Sequence, residues 1–545
     1  MMHIFVFPLA VLAWLSLIAT APFRAEASPA LPPPKPNFLV IVADDMGFSD
    51  AGCYGGEIQT PNLDRLANGG LRFTQFYNTA RCWPSRACIL TGYYAQQVHR
   101  DALPGLGGGG AGRRPSWAKL LPERLQPLGY RTYHSGKWHV DGPVLAGGFD
   151  HSYSLNDHDR HFNPKEHTLD DQPLPAVPPG SGYYSTTAIA QHAIDMLADH
   201  QATHQQQPFF LYLAFTSPHF PLHALPEDIA VYQDCYVAGW DVLRQERYQR
   251  MRHMDLVNCA LSPLDPDVIP SWNLPEATLR QQIGPGEVGH AVAWTSLNDE
   301  QRRFQPIKMA LHAAMIHRMD LEIGRVLAQL KAMGAFDNTV VLFVSDNGAS
   351  SEQIMRGDRH DQSAPPGSAK TFLSIGPGWS SAANTPFRLH KSWVHEGGIT
   401  TPLIIHWPQG IHARGELRRN PGHLVDLAPT ILELAGSRSP VYQTGQPAPI
   451  PPGKSLVPAF THDNSVKHDS FWWYHDGNRA IRIGDWKLVA DHAAPWELYD
   501  LRKDRSESHN FAPTHQPKVK ELEQAWTDQL EVFCAQARKD SPPSR

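Results

Sequence analysis

The 545-residue sequence has no excess of basic charge and, beyond its first residues, no apolar run long enough to cross a membrane. Its 48 lysines and arginines are outnumbered by 54 aspartates and glutamates, which gives a formal net charge of -6. A general positive field of the kind that binds nucleic acid is therefore excluded. An anion-binding site must instead be built locally, from a few converging cations. The hydrophobic content of 41% and the charged content of 19% indicate a folded globular chain.

Cysteine is scarce. The six residues are Cys53, Cys82, Cys88, Cys235, Cys259 and Cys534. They do not form the paired clusters of a structural zinc site. In an exported protein their even number predicts up to three disulfides, and Cys235 and Cys259 are close enough in sequence to form one. If Cys82 is used in other chemistry, at least one of the remaining five stays unpaired.

The amino terminus lacks a lysine or arginine before Arg24, although residues 4–23 are almost wholly apolar. Small residues at 25–27 follow, as at a signal peptidase site. We predict an export signal at 1–27 and a proline-rich tether at 28–36, hence a periplasmic or secreted chain with no stable membrane span after processing. An uncleaved anchor is the alternative, because the apolar stretch approaches the ~20 residues that span a bilayer.

Short apolar runs, each followed by polar residues, recur along the body of the chain. The runs occupy residues 38–43, 209–215, 340–344 and 403–405. Such runs are typical of strands buried on both faces of a parallel sheet. Ligands of such sheets gather beyond the carboxyl ends of the strands. The polar residues that follow three of the runs are therefore predicted on one rim: Asp44, Asp45, His219, Asp346 and Asn347.

A helical pattern separates these strands. Residues 307–330 carry apolar side chains at steps of three and four, which predicts a helix that starts after Pro306 and ends before Gly334. The predicted fold is α/β, with a large mixed, mostly parallel sheet sandwiched by helices. We assign this larger domain to residues 37–455. Residues 456–545 are predicted to form a smaller C-terminal domain that consists of an antiparallel sheet and one helix.

Residues 231–305 lack a regular pattern and are predicted to be an insertion over the rim that shapes substrate choice. Three tryptophans of this segment, Trp240, Trp272 and Trp294, favour an aromatic cleft of the kind that binds sugars.

The most specific pattern is Cys-Trp-Pro-Ser-Arg at residues 82–86, followed by Leu-Thr-Gly at 90–92. It resembles the signature of the formylglycine-dependent sulfatases, arylsulfatase-like enzymes of the alkaline phosphatase superfamily. Other segments match that family in order: 44–45, 60–64, 136–139, 217–219, 346–348 and 391–402. The resemblance covers residues 36–410. Two positions depart from the family: Trp83 is bulkier than usual, and Val140 follows His139 where a small residue is commoner.

The resemblance implies that a formylglycine-generating enzyme converts Cys82 into 3-oxoalanine, or formylglycine. One hydroxyl of its hydrate attacks sulfur and expels the alcohol; the other then loses its proton and expels sulfate. Pro84 suits the first turn of a helix whose amino end faces the anion. Arg86 would then lie beside the nucleophile.

Four further residues take catalytic roles by the same resemblance. Lys137 and Lys391 hold the sulfate oxygens. His219, together with Lys391, protonates the leaving oxygen, and His139 helps to deprotonate the second hydroxyl.

A metal site is predicted on the rim. Asp44, Asp45, Asp346 and Asn347 offer hard oxygen ligands, which suit calcium or magnesium better than zinc. Related two-zinc phosphatases would tend to carry a histidine where Asn347 stands. The resemblance implies one calcium ion with the modified Cys82 as a further ligand. Magnesium and manganese stay open as alternatives.

The predicted function is hydrolysis of aryl or carbohydrate sulfate esters, with a small molecule or an oligosaccharide as substrate and no nucleic acid partner. Two alternatives remain open. One is a phosphomonoester or phosphonate hydrolase on the same scaffold, because both substrate classes share tetrahedral oxyanion geometry. The other is a non-catalytic sulfoglycan-binding protein in which Cys82 stays a thiol.

Overall fold

The computed structural model describes residues 1–3, 6, 35–356, 360–437, 448–492 and 494–540. From Lys35 onward these residues form one compact unit. The predicted export signal and tether lie almost wholly outside the described residues. Within the described part of the chain, no helix is both long and apolar enough to cross a bilayer. The domain boundary at 455/456 stays a prediction.

A large mixed sheet organises the catalytic part of the molecule. Among the described residues it has eleven strands: β1 (Asn37–Ala43), β2 (Leu71–Tyr77), β3 (Arg131–Gly136), β4 (His151–Leu155), β5 (His167–Leu169), β6 (Gln172–Pro173), β7 (Phe209–Ala214), β8 (Thr339–Ser345), β9 (Thr400–His406), β10 (Glu416–Arg418) and β11 (Gly422–His423). Their order is β10-β2-β9-β8-β1-β7-β3-β4-β5-β6, with β11 paired to β2. The central strands β8, β1, β7, β3 and β4 run parallel, whereas β9 is antiparallel to both its neighbours. The predicted mixed, mostly parallel sheet is confirmed.

Helices cover both faces of this sheet. The described helices are α1 (Pro61–Asn68), α2 (Cys82–Thr91), α3 (Leu121–Leu125), α4 (Ser185–Thr203), α5 (Pro226–Tyr232), α6 (Trp240–His253), α7 (Glu276–Gln282), α8 (Asp299–Ala332), α9 (Gly376–Ala383), α10 (Glu396–Ile399), α11 (Leu427–Leu434) and α12 (Gln516–Asp540). Residues of β1 alternate between two hydrophobic cores: Leu39 and Ile41 face the core of α1, α4 and α8. Phe38 and Val40 face the core of α2, α3 and α11.

The long helix α8 begins eight residues earlier than its apolar pattern predicts, and Pro306 lies inside it. Asn298 caps the helix by accepting a hydrogen bond of 2.9 Å from the Gln301 backbone N–H, and the Gln301 side chain accepts one from the Asn298 N–H in return. This capping box, not the proline, sets the start. Choosing Pro306 as the start signal was therefore wrong.

The insertion at 231–305 is more regular than predicted, since it contains α6 and α7. The prediction that Trp240 and Trp294 line a cleft is wrong, because both side chains are buried and pack together with ring centroids 4.7 Å apart. Trp272 is 41% exposed. The possible disulfide between Cys235 and Cys259, which the sequence left open, is not formed, and all six cysteines are free in the structure.

The smaller sheet is antiparallel and has the strand order β12-β13-β14-β15. Its strands are β12 (Phe471–His475), β13 (Asn478–Ile483), β14 (Trp486–Ala490) and β15 (Glu497–Asp500). The C-terminal helix α12 packs on it, with the indole rings of Trp472 and Trp526 stacked at 5.8 Å. The predicted antiparallel sheet plus helix is thus confirmed.

A buried ion network joins this small sheet to α10. The Lys487 ammonium lies 3.0 Å from the Glu396 carboxylate and 2.8 Å from that of Glu507. Arg505 adds a second cation 3.2 Å from Glu396. The Lys487, Glu396 and Glu507 side chains are fully buried, so each charge depends on its partners.

We expect Lys487→Met to lower the free energy of unfolding by about 3–5 kcal/mol, because it leaves two buried carboxylates without their shared cation. Urea denaturation measures the change. The control is Lys518→Met, which removes an exposed ion pair with Glu521 and should cost less than about 1 kcal/mol. Equal losses in the two variants would contradict a structural role for the network.

Candidate active site

The acidic residues lie where two adjacent parallel strands end. Asp44 and Asp45 follow β1, and Asp346 and Asn347 follow β8. The register pairs Ala43 with Ser345, so both polar pairs leave the sheet at the same level. The predicted rim position of these four side chains is what the strand pairing produces.

Oxygen atoms converge there without enough hydrogen-bond donors. The Asn347 amide donates to the Asp45 Oδ1 at 2.6 Å. The Asp44 Oδ1 and the Asn347 Oδ1 are buried and have no hydrogen-bond partner. Buried oxygens of this kind are costly unless something positive contacts them. A hard divalent cation fits this donor set.

The carboxyl groups differ in their electrostatic environment. Burial, together with the negative charge of Asp44, raises the pKa of Asp45 and raises that of Asp346 well above the ordinary range. Burial also acts to raise the pKa of Asp44, but Lys137, His219 and Arg86 outweigh it and hold that pKa well below its usual value. The raised values show that two of the three carboxylates would be stabilised by further positive charge, as a metal ion would supply.

Cys82 is the first residue of α2, and Arg81 is its N-cap. Pro84 lies in the first turn, as predicted, where its missing N–H leaves no bond unmade. The helix amino end thus places free backbone N–H groups beside the thiol of Cys82, which is 4% exposed. Arg81, directly before Cys82, pairs with Glu352 at 3.1 Å, and Arg86, on the next turn of α2, pairs with Asp346 at 2.8 Å, so the thiol lies among the rim residues.

Three predicted cations surround the rim. The Lys137 Nζ lies 2.6 Å from the Asp44 Oδ2. The Lys391 Nζ lies 2.8 Å from the Asp45 Oδ1. Arg86 donates through Nε to the Asp346 Oδ2 at 2.9 Å and through Nη1 to the Lys137 backbone carbonyl at 2.9 Å. Each carboxylate therefore has one cation of its own.

The two predicted histidines are also at this rim. The His219 Nε2 lies 3.7 Å from the Asp45 Oδ2, and Asp44, Asp45 and His219 present ligand atoms within 4.8 Å of one another. Burial, with Lys391, lowers the pKa of His219 well below its ordinary value. Burial, with Lys137, does the same for His139, whose buried Nδ1 has no hydrogen-bond partner. Both imidazoles are therefore neutral at pH 7.

Three residues of the site were not predicted from the sequence: Glu352, Arg81 and His158. Glu352 accepts a hydrogen bond from Arg81 at 3.1 Å and lies 3.3 Å from Lys391. Despite its burial, Lys391 and Arg81 lower its pKa to about 2. The third is His158, whose ring packs against those of both His139 and His219. Neither Glu352 nor His158 belongs to a recognisable motif, and no pattern distinguishes His158 from the rest of the 29 histidines in the sequence.

Two tryptophans and Arg81 form a wall beside Cys82. The Arg81 guanidinium lies 5.2 Å from the Trp83 ring and 5.4 Å from the Trp272 ring. The Trp272 indole donates to Glu352 at 2.9 Å. Trp83 also packs against His139, with ring centroids 5.7 Å apart. Trp83, the bulky residue after Cys82, thus lies in the surroundings of the site. Through Trp272, the insertion at 231–305 reaches the same surroundings.

Comparison with known proteins agrees with this geometry. A family model described as Sulfatase matches residues 36–437, and one described as N-sulphoglucosamine sulphohydrolase, C-terminal, matches residues 387–536. The chain is 34% identical to an uncharacterized sulfatase of Schizosaccharomyces pombe, over 90% of this chain and 93% of that one. It is 31% identical to an arylsulfatase of Klebsiella aerogenes, over 74% of this chain and 87% of that one.

Among solved structures, one of a protein in complex with its substrate D-glucosamine-2-N,6-O-disulfate has the same fold. The TM-score is 0.60 at 22% sequence identity, over 93% of this chain and 99% of that one. A mixed sheet with an acidic rim and a Cys-x-Pro-Ser-Arg helix defines a sulfuric ester hydrolase. The chain belongs to the sulfatase family, within the alkaline phosphatase superfamily.

We expect calcium to raise the melting temperature of the metal-stripped protein, because the buried oxygens of Asp44 and Asn347 gain a partner. At about 100 times the dissociation constant, the gain in unfolding free energy is about 2.7 kcal/mol. Thermal unfolding after chelation and dialysis measures it. Asn347→Leu keeps the number and branching of the side-chain heavy atoms but removes one ligand, so its calcium shift should be smaller. A larger shift with zinc than with calcium would contradict the hard-oxygen assignment.

Proposed function

We propose that this chain hydrolyses aryl or carbohydrate sulfate esters with a formylglycine made from Cys82, assisted by one calcium ion. The observation that carries the proposal is the position of Cys82 at a helix amino end, facing buried carboxylates that are each paired with a cation. A bound sulfate ester would meet positive groups from several directions, as the transition state of sulfuryl transfer requires. The formylglycine would supply, in its hydrated form, the attacking and the sulfate-releasing hydroxyls.

The lysines are proposed to hold the sulfate oxygens. An ammonium group has three donors. The Lys137 Nζ uses one on Asp44, and Lys391 divides its donors between Asp45 and Glu352. Both keep a donor for a sulfate oxygen. Because their carboxylate partners fix the ammonium positions in advance, little reorganisation is needed when the substrate binds.

Protonation of the leaving oxygen is proposed to involve Lys391 and His219 together. Although burial lowers it, the pKa of Lys391 is raised overall by Asp45 and Glu352, so Lys391 carries its proton at neutral pH. His219 is neutral in the same state and lies against the same carboxylate. Lys391 is therefore the proton source, and His219 relays or shares that proton with the leaving oxygen.

His139 is proposed to accept the proton of the second hydroxyl. It is neutral because burial and Lys137 lower its pKa. Its unpaired Nδ1 shows that at least one ring nitrogen is not committed to the protein. A neutral, uncommitted imidazole beside the nucleophile suits a general base.

Calcium is the proposed metal, with Asp44, Asp45, Asp346, Asn347 and the modified Cys82 as its ligands. These residues supply hard oxygens, and two of the oxygens have no other partner. The ion would polarise the nucleophile and offset the charge of the sulfate group. Magnesium or manganese would use the same oxygens.

Export to the periplasm or the medium, and maturation by a formylglycine-generating enzyme, complete the proposal. The apolar residues 4–23 and the small residues at 25–27 support the first. The Cys-x-Pro-Ser-Arg segment supports the second, because it is the pattern that the resemblance links to this modification.

The alternative is a phosphomonoester or phosphonate hydrolase. We expect kcat/KM for 4-nitrophenyl sulfate to exceed that for 4-nitrophenyl phosphate, because a site with three cations and one hard dication, in place of two zinc ions, suits the less charged sulfate monoester. Steady-state rates on both esters, with the same calcium concentration, measure the ratio. A higher value for the phosphate or for a phenyl phosphonate would assign the site to the alternative.

A further inference from the structure

His158 lies inside the candidate site but belongs to none of its motifs. It is on the segment between β4 and β5. Its ring centroid lies 5.7 Å from that of His139 and 5.3 Å from that of His219. These are the two histidines proposed to move protons on either side of the sulfate. A third imidazole packed against both of them is close enough to meet a substrate held there.

One nitrogen of His158 is committed to the protein. The Nδ1 lies 3.3 Å from the backbone carbonyl oxygen of Asn156. A carbonyl only accepts, so Nδ1 carries a proton and donates it. Burial, together with the nearby charge of Lys137, lowers the pKa of His158 well below its ordinary value and so opposes a second proton on the ring. The Nε2 therefore presents a lone pair, and it forms no hydrogen bond with any described residue.

The segment around His158 is held in place at several points. The backbone N–H of Asn156 donates to the carbonyl of Glu166 at 3.0 Å. His161 contacts the Ser185 hydroxyl at 2.9 Å and the His219 carbonyl at 3.2 Å. Asp159 pairs with Arg356 at 3.1 Å. The imidazole is thus positioned before substrate arrives, and one anchor leads directly to His219.

The chemistry of a sulfate ester decides what this lone pair can contact. The sulfate group presents only acceptor oxygens, so it offers no proton to Nε2. The alcohol part of the substrate offers one if a hydroxyl or an amide N–H lies beside the ester oxygen. A sugar has such donors next to almost every position, whereas the ring of a simple aryl sulfate has none.

We propose that His158 is a specificity-determining residue that accepts a hydrogen bond from a hydroxyl or amide N–H next to the sulfate ester, and thereby selects sulfated sugars over plain aryl sulfates. The inference rests on the proposed function, which leaves both classes open. A site built to pair with a substrate donor rejects a substrate that lacks it, because the buried acceptor is then left without a partner.

The test compares His158→Phe with the unmodified protein on two kinds of ester. The first is the fastest substrate among the 2-, 3-, 4- and 6-sulfates of glucose, galactose and their N-acetylated amino sugars. The second is 4-nitrophenyl sulfate. Phenylalanine keeps a ring of similar size but has no acceptor. We expect kcat/KM to fall about tenfold on the sugar sulfate, as one lost hydrogen bond implies, and to change less than about twofold on the aryl sulfate.

Three further measurements sharpen the comparison. A deoxy form of the sugar sulfate, without the neighbouring hydroxyl, should be hydrolysed equally by both proteins. His158→Gln, which restores an acceptor oxygen, should recover part of the activity on the complete sugar. His151→Phe is the matched control, since that histidine is 42% exposed and pairs with Asp170; it should change neither rate. Melting temperatures establish that each variant is folded.

Equal losses of His158→Phe on sugar and aryl esters would overturn the inference, because the residue would then act on the sulfate group or the fold. Unchanged rates on the sugar would overturn it as well. So would an unmodified protein that cleaves 4-nitrophenyl sulfate but no sugar of the panel, although the proposed function would survive that result. Failure of the unmodified protein to cleave any sulfate ester would instead contradict the proposed function.

Discussion

The structure depends on keeping several carboxyl groups buried beside one another at the end of two parallel strands. In the described part of the site, four carboxylates are matched by four cations: Asp44, Asp45, Asp346 and Glu352 against Lys137, Lys391, Arg86 and Arg81. Removing such charges from water costs several kcal/mol each unless close partners compensate. A dication bound at this rim would add positive charge, which the single negative charge of a sulfate ester would partly offset.

This requirement explains features far from the rim. Strands β1 and β8 must be parallel neighbours for the four polar residues that follow them to meet. The two hydrophobic cores on either face of the sheet hold the strands in this arrangement. The small C-terminal sheet also helps to position the rim. Its buried Lys487 binds Glu396, and the backbone N–H of Glu396 donates to Glu507 at 2.8 Å. Since α10 begins five residues after Lys391, the network fixes the segment that carries this cation.

Strand ends and the start of α2 could be predicted from the sequence because they depend on local chemistry. The apolar runs that end at Asp44 and Asp346, and the proline near Cys82, mark these positions directly. The start of α8 is also a local feature, the capping box of Asn298 and Gln301, but Pro306 gives a misleading signal inside the helix. Features set by tertiary contacts could not be predicted: Trp240 and Trp294 look like cleft residues but fill a core. Likewise, no pattern separates His158 from other histidines, because its role depends on a fold that places it against both His139 and His219.

We propose that the side chain at position 82 is no longer a thiol when the enzyme is active. Trypsin should release residues 82–86, because Arg81 and Arg86 flank the segment. In purified, active protein, mass spectrometry of this peptide should find a form lighter than the cysteine peptide by about 18 Da, the difference between a thiol-bearing carbon and an aldehyde. Its fraction should rise in proportion to specific activity across preparations. Full sulfatase activity in a preparation whose peptide carries only unmodified cysteine would contradict the account.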